Sequence, residues 1–182
     1  MSSLTVVALG GNALLRRGEP LRHSIQERNV EVAAAELAVI AADTGLVVTH
    51  GNGPQIGLLA LQSGGADAAG GFPLDVLGAE SEGMVGYLLE RELRNRMAGR
   101  EVATLLTQTE VDPADPAFAR PTKPIGPVYS ESEAGQLEAE LGWTLGRDGD
   151  ALRRVVASPE PRAILQIAAV RTLLEGGAVV IC

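Results

Sequence analysis

Residues 46–62 read LVVTHGNGPQIGLLALQ, and this stretch decides the fold that we expect. The apolar run before His50 is typical of a strand that is covered on both faces, as in parallel sheets. A glycine-rich turn follows at once, and Pro54 stands where a helix can begin. Residues 4–12, LTVVALGGN, repeat the same order of a short apolar strand, a glycine pair and an asparagine. The two stretches predict a buried parallel sheet whose strands end in glycine-rich turns.

Helical spacing of apolar residues fills the segments between these strands. It predicts a helix over 24–43, with Ser24 as its N-cap and with Val32 and Val39 among its apolar positions. Further helices are predicted over 56–62 and over 75–97. Another apolar run, 102–106, predicts a third strand. This β-α-β-α-α-β order is typical of an α/β fold with a mostly parallel sheet and helices on both sides.

The character of the chain changes near Gln108. Five prolines occur between Asp112 and Pro127, a density that excludes helix and disfavours a central strand. We therefore expect an inserted, β-rich subdomain over 108–166 and an α/β core built from 1–107 and 167–182. The last apolar run, 178–182, is predicted to be a strand within which the chain stops. We expect this final strand to leave an unpaired sheet edge.

Composition excludes several classes of function. The net charge is -8, and the 15 basic residues are fourteen arginines and one lysine without a basic run, which argues against nucleic acid as the partner. One cysteine and two histidines give no metal-binding motif, so no metal ligand is predicted. No apolar run approaches the roughly 20 residues that a membrane span needs, and a cytoplasmic location is expected.

The two glycine-rich turns are the first candidate site. Ligands of open parallel sheets lie beyond the carboxyl ends of the strands, so both turns should face one crevice. Glycine lets backbone amides approach phosphate oxygens, and a helix N-terminus adds partial positive charge. The alternative is that both are only tight turns, since neither a Walker A loop nor a G-x-G-x-x-G fingerprint is present. The candidate anion-binding residues are Gly10, Gly11, Asn12, Gly51, Asn52 and Gly53.

The single lysine is the second candidate. Lys123 lies in PTKPIGP, where flanking prolines stiffen the loop that carries its ammonium group. A compact ammonium can follow a phosphoryl group during its transfer; the alternative is a solvated surface lysine. His50 at a strand end is either a group that polarises the substrate or a structural hydrogen-bonder. Asp75, Glu80 and Glu82 bring carboxylates near the start of the helix predicted over 75–97. Such a carboxylate is a conceivable general base; the alternative is that acids at this end of a helix only complement its dipole.

Six stretches of the chain resemble carbamate kinases, members of the amino acid kinase superfamily. GNGPQ together with TKPIGP distinguishes this resemblance from acetylglutamate, aspartate and uridylate kinases. The chain resembles the N-terminal part of the family sequence. The stretches are ALGGNALL (8–15), VVTHGNGPQIGLLALQ (47–62), PLDVLGAESEGMVGYLLE (73–90), LLTQTEVDPADPAF (105–118), PTKPIGPVYSE (121–131) and RRVVASPEP (153–161).

The resemblance implies reversible phosphoryl transfer between ATP and carbamate, giving ADP and carbamoyl phosphate, with Mg²⁺. It implies a three-layer αβα sandwich with a small protruding subdomain, and a homodimer. The direction is typically toward ATP, in arginine breakdown. The six glycine-turn residues would hold carbamate and the transferred phosphoryl group, and Lys123 would close over them.

The resemblance also implies a second half that binds the adenine nucleotide, with further lysines and an aspartate, beyond Cys182. One alternative is a non-catalytic relative that binds phosphate or carbamoyl phosphate, or that only dimerises. Another is a superfamily kinase that acts on acetylglutamate or UMP.

Overall fold

The computed structural model describes residues 3–16, 19–20, 22–64 and 72–182, with Asn12 and Gly64 described by their backbone alone. The chain forms two compact units. The first unit comprises 1–52, 79–108 and 165–182, and the second unit comprises 53–78 and 109–164.

Nine strands and six α-helices form the described part of the chain, together with a 3₁₀ turn at Pro116–Phe118. In chain order they are β1 (Leu4–Leu9), α1 (Gly11–Leu14), α2 (His23–Asp43), β2 (Gly45–His50), α3 (Gly53–Gly64), α4 (Leu74–Arg96), β3 (Val102–Thr104), β4 (Thr109–Val111), β5 (Lys123–Tyr129), α5 (Glu131–Leu141), β6 (Leu145–Asp148), β7 (Ala151–Val156), β8 (Pro161–Ile164), α6 (Ile167–Glu175) and β9 (Val179–Ile181).

The first unit is built on a four-stranded parallel sheet with the order β1-β2-β9-β3. Alternate residues of the strands point to opposite faces, and each face has its own apolar cluster. Val48 and Ile181 pack with residues of α2 and α4, whereas Val47 and Val180 pack with α6. Helices therefore cover both faces, which confirms the predicted α/β class with a parallel sheet.

The final strand differs from the expectation. β9 lies between β2 and β3, pairs with both, and buries Val179 to Ile181 completely. The edges of the described sheet are instead β1 and β3. The expectation that the final strand leaves an unpaired edge was therefore wrong. The last crossover places β9 between two strands of the sheet and not at its edge.

The first strand is less buried than its apolar sequence predicts. β1 has the predicted bounds, but as an edge strand it leaves Leu4 57% and Val6 62% exposed. Its other face, which includes Val7 and Leu9, packs on the main core. A continuous apolar run therefore identifies this strand correctly without establishing that both of its faces are covered.

Helix α2 begins one residue earlier than predicted and without the predicted cap. Its N-cap position is Arg22, no side chain caps it, and Ser24 lies inside the helix. The helix buries Val30 and Leu37, while Val39 is 71% exposed. Two apolar stripes share this helix, and only the packing decides which one faces the core.

The small residues of α4 serve contacts within the chain. A Cβ placed on Gly86 would lie 2.3 Å from Cγ2 of Thr104, and the Thr104 hydroxyl donates to the Gly86 carbonyl at 3.2 Å. Gly86 therefore lets β3 approach the helix closely. Met84 and Tyr87 remain exposed on the same helix.

The second unit contains two antiparallel sheets. One pairs β4 with β8, and the other has the order β5-β7-β6. The proline-rich segment supplies β5, which is an edge strand, as expected for a strand containing Pro124 and Pro127. Helix α5 begins at a complete capping box between Ser130 and Glu133.

Helix α3 packs within the second unit, although it follows β2 directly in the chain. Ile56 and Ala60 of α3 form one buried cluster with Leu77 and with Ile125 of β5. Residues 53–78 accordingly group with 109–164, whereas the sequence-based boundaries left them in the core. In the described part of the chain, no helix combines the length and the apolarity that crossing a membrane requires.

Candidate functional site

The two glycine-rich turns begin side by side at the carboxyl edge of the parallel sheet. Leu9 at the end of β1 is in register with His50 at the end of β2. The Gly51 amide donates to the Leu9 carbonyl at 3.2 Å, which joins the two turns directly. The first unit thus brings Gly10 and Gly11 together with Gly51 and Asn52, because parallel neighbours end at the same edge of a sheet.

The space in front of these turns is open. A Cβ added at Gly10, Gly51 or Gly53 would meet no atom within 4 Å. None of the three has a positive φ angle, so backbone conformation does not require glycine there. What the missing Cβ provides is an unobstructed approach to the backbone of the turns, which is the property that an anion-binding turn needs.

The asparagine of the second turn is held by a neighbouring helix. Its side-chain nitrogen Nδ2 donates to Oγ of Ser81, on α4, at 2.7 Å, and Ser81 is completely buried. This contact fixes the amide plane of Asn52 beside the turn. The side chain of the corresponding Asn12 lies outside the described part of the chain.

Glu82 is a structural anchor of this edge. Its Oε1 accepts hydrogen bonds from both the amide of Thr107 at 2.9 Å and the hydroxyl of Thr107 at 2.7 Å. These bonds fix the chain where it leaves β3. Glu80 is exposed, and Asp75 lies in the first turn of α4, as the helix-dipole interpretation predicts.

His50 is a half-buried, neutral imidazole. Burial lowers its pKa below the usual 6.5, and the nearby Glu82 charge only partly opposes that effect. Nδ1 lies 3.4 Å from the Gly51 carbonyl, while the buried Nε2 has no partner among the described residues. A neutral ring that contacts the turn backbone is consistent with a structural role, in which His50 helps to fix the conformation of the turn.

The N-terminus of α3 belongs to the second unit. The helix begins at Gly53, so its first amides carry the partial positive charge of the helix end. Gln55 in this first turn is 1% exposed, and neither polar atom of its amide has a hydrogen-bond partner in the described part of the chain. An unpaired buried amide is costly, so Gln55 lowers the stability of the first turn of α3.

Lys123 opens β5, and its side chain is exposed. It pairs with Val156 of β7, and both residues share a face of the sheet with Ile125, two residues further along. That is the face on which Ile56 of α3 packs. The second unit therefore brings Lys123 and the first turns of α3 to the same side of one sheet.

The candidate residues are divided between the two units. Gly10, Gly11, Gly51 and Asn52 belong to the first, and Gly53 and Lys123 belong to the second. Sequence reasoning missed Ser81, Thr107 and Gln55. Nothing in their local pattern distinguishes them, because their contacts or their burial depend on residues elsewhere in the chain.

A divalent cation has no evident ligand set in this part of the protein. The described residues include no group of three or more histidine, cysteine, aspartate or glutamate side chains that could hold a metal ion. We therefore assign no Mg²⁺ ligand to these residues and derive no step through the ion.

Comparison with known proteins identifies close relatives. No family model matches the chain. A carbamate kinase of Rhizobium meliloti (strain 1021) is 54% identical over 178 residues, which is 97% of this chain. A solved carbamate kinase from Giardia lamblia bound to citric acid has a TM-score of 0.91 at 40% identity and covers 100% of this chain. The same enzyme bound to AMP-PNP gives a TM-score of 0.83.

These matches concern part of each relative. This chain spans 55% of the Rhizobium protein and 60% of the Giardia chain. The predicted resemblance is confirmed by sequence and by structure for the part of the relatives that this chain spans.

Proposed function

From the premise that the chain belongs to the carbamate kinase family, we propose that it carries the phosphoryl-binding part of an enzyme that interconverts ATP and carbamate with ADP and carbamoyl phosphate. In the forward direction, the bond between the terminal phosphoryl group and ADP breaks, and a bond from that phosphorus to a carbamate oxygen forms. The observation that carries the proposal is the hydrogen-bonded pair of glycine turns at the carboxyl edge of the sheet.

The glycine turns are proposed to bind the carbamoyl phosphate. Backbone amides at Gly10, Gly11 and Gly53 would donate to phosphoryl and carbamate oxygens, with Asn12 and Asn52 as side-chain donors. Gly51, whose amide donates to the Leu9 carbonyl, would line the site without a side chain and hold the two turns together. Phosphoryl transfer depends mainly on positioning and charge stabilisation, so amides and one cation suffice without a side-chain base.

Lys123 is proposed as the catalytic cation. Its ammonium would follow the phosphoryl group through the transfer and neutralise the charge that develops in the transition state, which a compact, rotatable donor does better than a planar guanidinium. It is the single lysine among the chain's 15 basic residues, and it lies exposed at the start of β5.

The remaining features of the proposal come from the family. We propose ATP and ADP as the nucleotides, in line with the AMP-PNP named for one structural neighbour, and Mg²⁺ as the accompanying ion. We further propose a cytoplasmic homodimer that acts in arginine breakdown in the ATP-forming direction. Exposed Met84 and Tyr87 on α4 are the apolar side chains that such a dimer would cover.

The test is a coupled assay of ATP formation from carbamoyl phosphate and ADP, paired with calorimetric binding of carbamoyl phosphate. We compare the parent chain with Lys123→Ala, with Lys123→Arg, and with Arg120→Ala as the control that removes an exposed cation three residues away. Loss of one placed donor from an oxyanion site costs roughly 10²–10³ in rate. We expect that loss in Lys123→Ala and near-parent behaviour in Arg120→Ala.

Three outcomes are informative. ATP formation that depends on Lys123 supports the whole proposal. Binding of carbamoyl phosphate without turnover supports the proposed binding role and assigns catalysis to a longer protein. A chain that neither binds carbamoyl phosphate nor forms ATP refutes the proposed role of the glycine turns.

A further inference from the structure

Arg153 on β7 makes an unusually complete set of contacts within the second unit. Its Nε and Nη2 donate to the carbonyl oxygen of Gly126 at 3.0 and 2.7 Å. The remaining nitrogen, Nη1, donates to Oδ2 of Asp148 at 2.8 Å. The side chain is 21% exposed, so these bonds are partly shielded from water. Charge-assisted bonds from a planar fork are the geometrically specific kind.

The carbonyl that Arg153 holds belongs to a special backbone position. Gly126 has a φ of +71°, and the pairing of β5 with β7 shifts its register between Ile125 and Tyr129. The strand is therefore bulged between Ile125 and Tyr129, the stretch in which Gly126 lies. A bulge redirects the strand around it, and a fixed carbonyl at its turning point keeps that direction constant.

The same glycine is the contact point with α3. A Cβ placed on Gly57 would lie 1.9 Å from Cα of Gly126, so the two backbones touch directly. Gly57 is one turn from Gly53, where α3 begins. Lys123 lies three residues before Gly126 on the other side of the contact. A fixed Gly126 therefore determines the positions of both the start of α3 and the strand that carries Lys123.

We propose that Arg153 is a positioning residue for Lys123: by holding the bulge at Gly126, it keeps the ammonium and the N-terminus of α3 in the arrangement that binds a phosphoryl oxygen. The inference rests on the proposed function, in which Lys123 and Gly53 contact the phosphoryl group. Arg153 itself touches no ligand. Its own charge is already engaged with Asp148 and with a carbonyl dipole.

The single lysine provides a direct readout. Reductive dimethylation with ¹³C-formaldehyde retains the positive charge and labels only Lys123 and the terminal amine, so the Lys123 methyl signal follows this side chain alone. We titrate the full chain with inorganic phosphate and record the shift of that signal. The variants are Arg153→Ala, Arg153→Lys and Arg147→Ala, the last removing an exposed arginine that pairs with Glu131 at 3.6 Å in the same unit.

We expect phosphate affinity in Arg153→Ala to fall at least about tenfold, the equivalent of one charge-assisted hydrogen bond. The phosphate affinity of Arg153→Lys should lie between those of this variant and the parent, because an ammonium lacks the planar guanidinium that bonds Gly126 and Asp148 together. Arg147→Ala should bind as the parent does. Parent-like affinity in a folded Arg153→Ala overturns the proposal. If that variant does not fold, parent-like affinity in folded Arg153→Lys overturns it equally.

A double-mutant cycle, measured by calorimetry with phosphate, separates this proposal from the proposed function. If Arg153 acts largely through Lys123, then Arg153→Ala costs much less phosphate affinity in a Lys123→Ala background than in the parent, the remainder being the contribution of the N-terminus of α3. Equal losses in both backgrounds would make Arg153 an independent or purely structural residue and overturn the inference alone. If Lys123→Ala binds phosphate as tightly as the parent, the proposed role of Lys123 fails, and the inference fails with it.

Discussion

Replacing Gly57 with alanine tests the packing that joins α3 to β5. The added methyl group would lie 1.9 Å from Cα and 2.5 Å from N of Gly126, and both obstacles are backbone atoms. A flexible side chain could turn away from the methyl group, but a backbone that is hydrogen-bonded to Arg153 can move only with its strand. The substitution must therefore push α3 and β5 apart.

The expected cost follows from two opposing effects. Overpacking of a filled site costs about 1–3 kcal/mol, and a backbone obstacle places this site near the upper value. Alanine in place of glycine stabilises a helix by about 1 kcal/mol through its higher helix propensity. The net loss is then about 2 kcal/mol in the free energy of unfolding. For a chain of this size that corresponds to a melting temperature lower by roughly 4–8 °C.

The assay is thermal and urea unfolding of the two helical glycine variants Gly57→Ala and Gly135→Ala. Gly135 lies exposed in α5, and a Cβ there would meet no atom within 4 Å. The control should therefore gain up to about 1 kcal/mol from helix propensity alone. Because both variants make the same chemical change in the same unit, their difference isolates the contact with Gly126. Equal stability of the two variants would refute the close packing of α3 on β5.

Two further predictions concern the first unit. Gly86→Ala should lower the free energy of unfolding by about 1–2 kcal/mol, because its methyl group would meet Cγ2 of Thr104 at 2.3 Å. Adding Thr104→Ser, which removes Cγ2, should restore most of the lost stability in urea unfolding. A double variant no more stable than Gly86→Ala would contradict the assigned clash. Burial lowers the pKa of His50, so the unfolded chain binds a proton more readily and stability should fall as the pH is lowered through about 6.5. Urea midpoints measured at pH 7.5 and 5.5 check this prediction. The difference between the two midpoints should shrink in His50→Gln but persist in the control His23→Gln. A parent-sized difference in His50→Gln would show that another group titrates.

Much of the first unit could be predicted from local pattern. The bounds of β1 are those predicted, and β2 and α4 differ from prediction by about a residue at each end. Strand and helix signals are local, since they depend on periodicity and on glycine or proline within a few residues. The adjacency of the two glycine turns was also predictable, because consecutive parallel strands end at one edge.

Burial was less predictable than the elements themselves. Helix α2 carries two apolar stripes, and the sequence does not reveal that Val30 is buried while Val39 is 71% exposed. The pattern likewise indicated coverage of both faces of β1, although an edge strand leaves Leu4 and Val6 exposed. The covering partner of a face comes from another part of the chain, and periodicity contains no information about it.

The sequence by itself determined the α/β class, the glycine turns at the strand ends and the resemblance to carbamate kinases, because each of these depends on residues that are close together along the chain. Only the tertiary structure decided that β9 inserts between β2 and β3, that Gly57 touches Gly126, and that Arg153 holds the bulge after Lys123. These contacts join residues that lie tens of positions apart. They form because buried area and hydrogen bonds in the folded chain offset the entropy of closing long loops, and no local pattern specifies which pairs will meet.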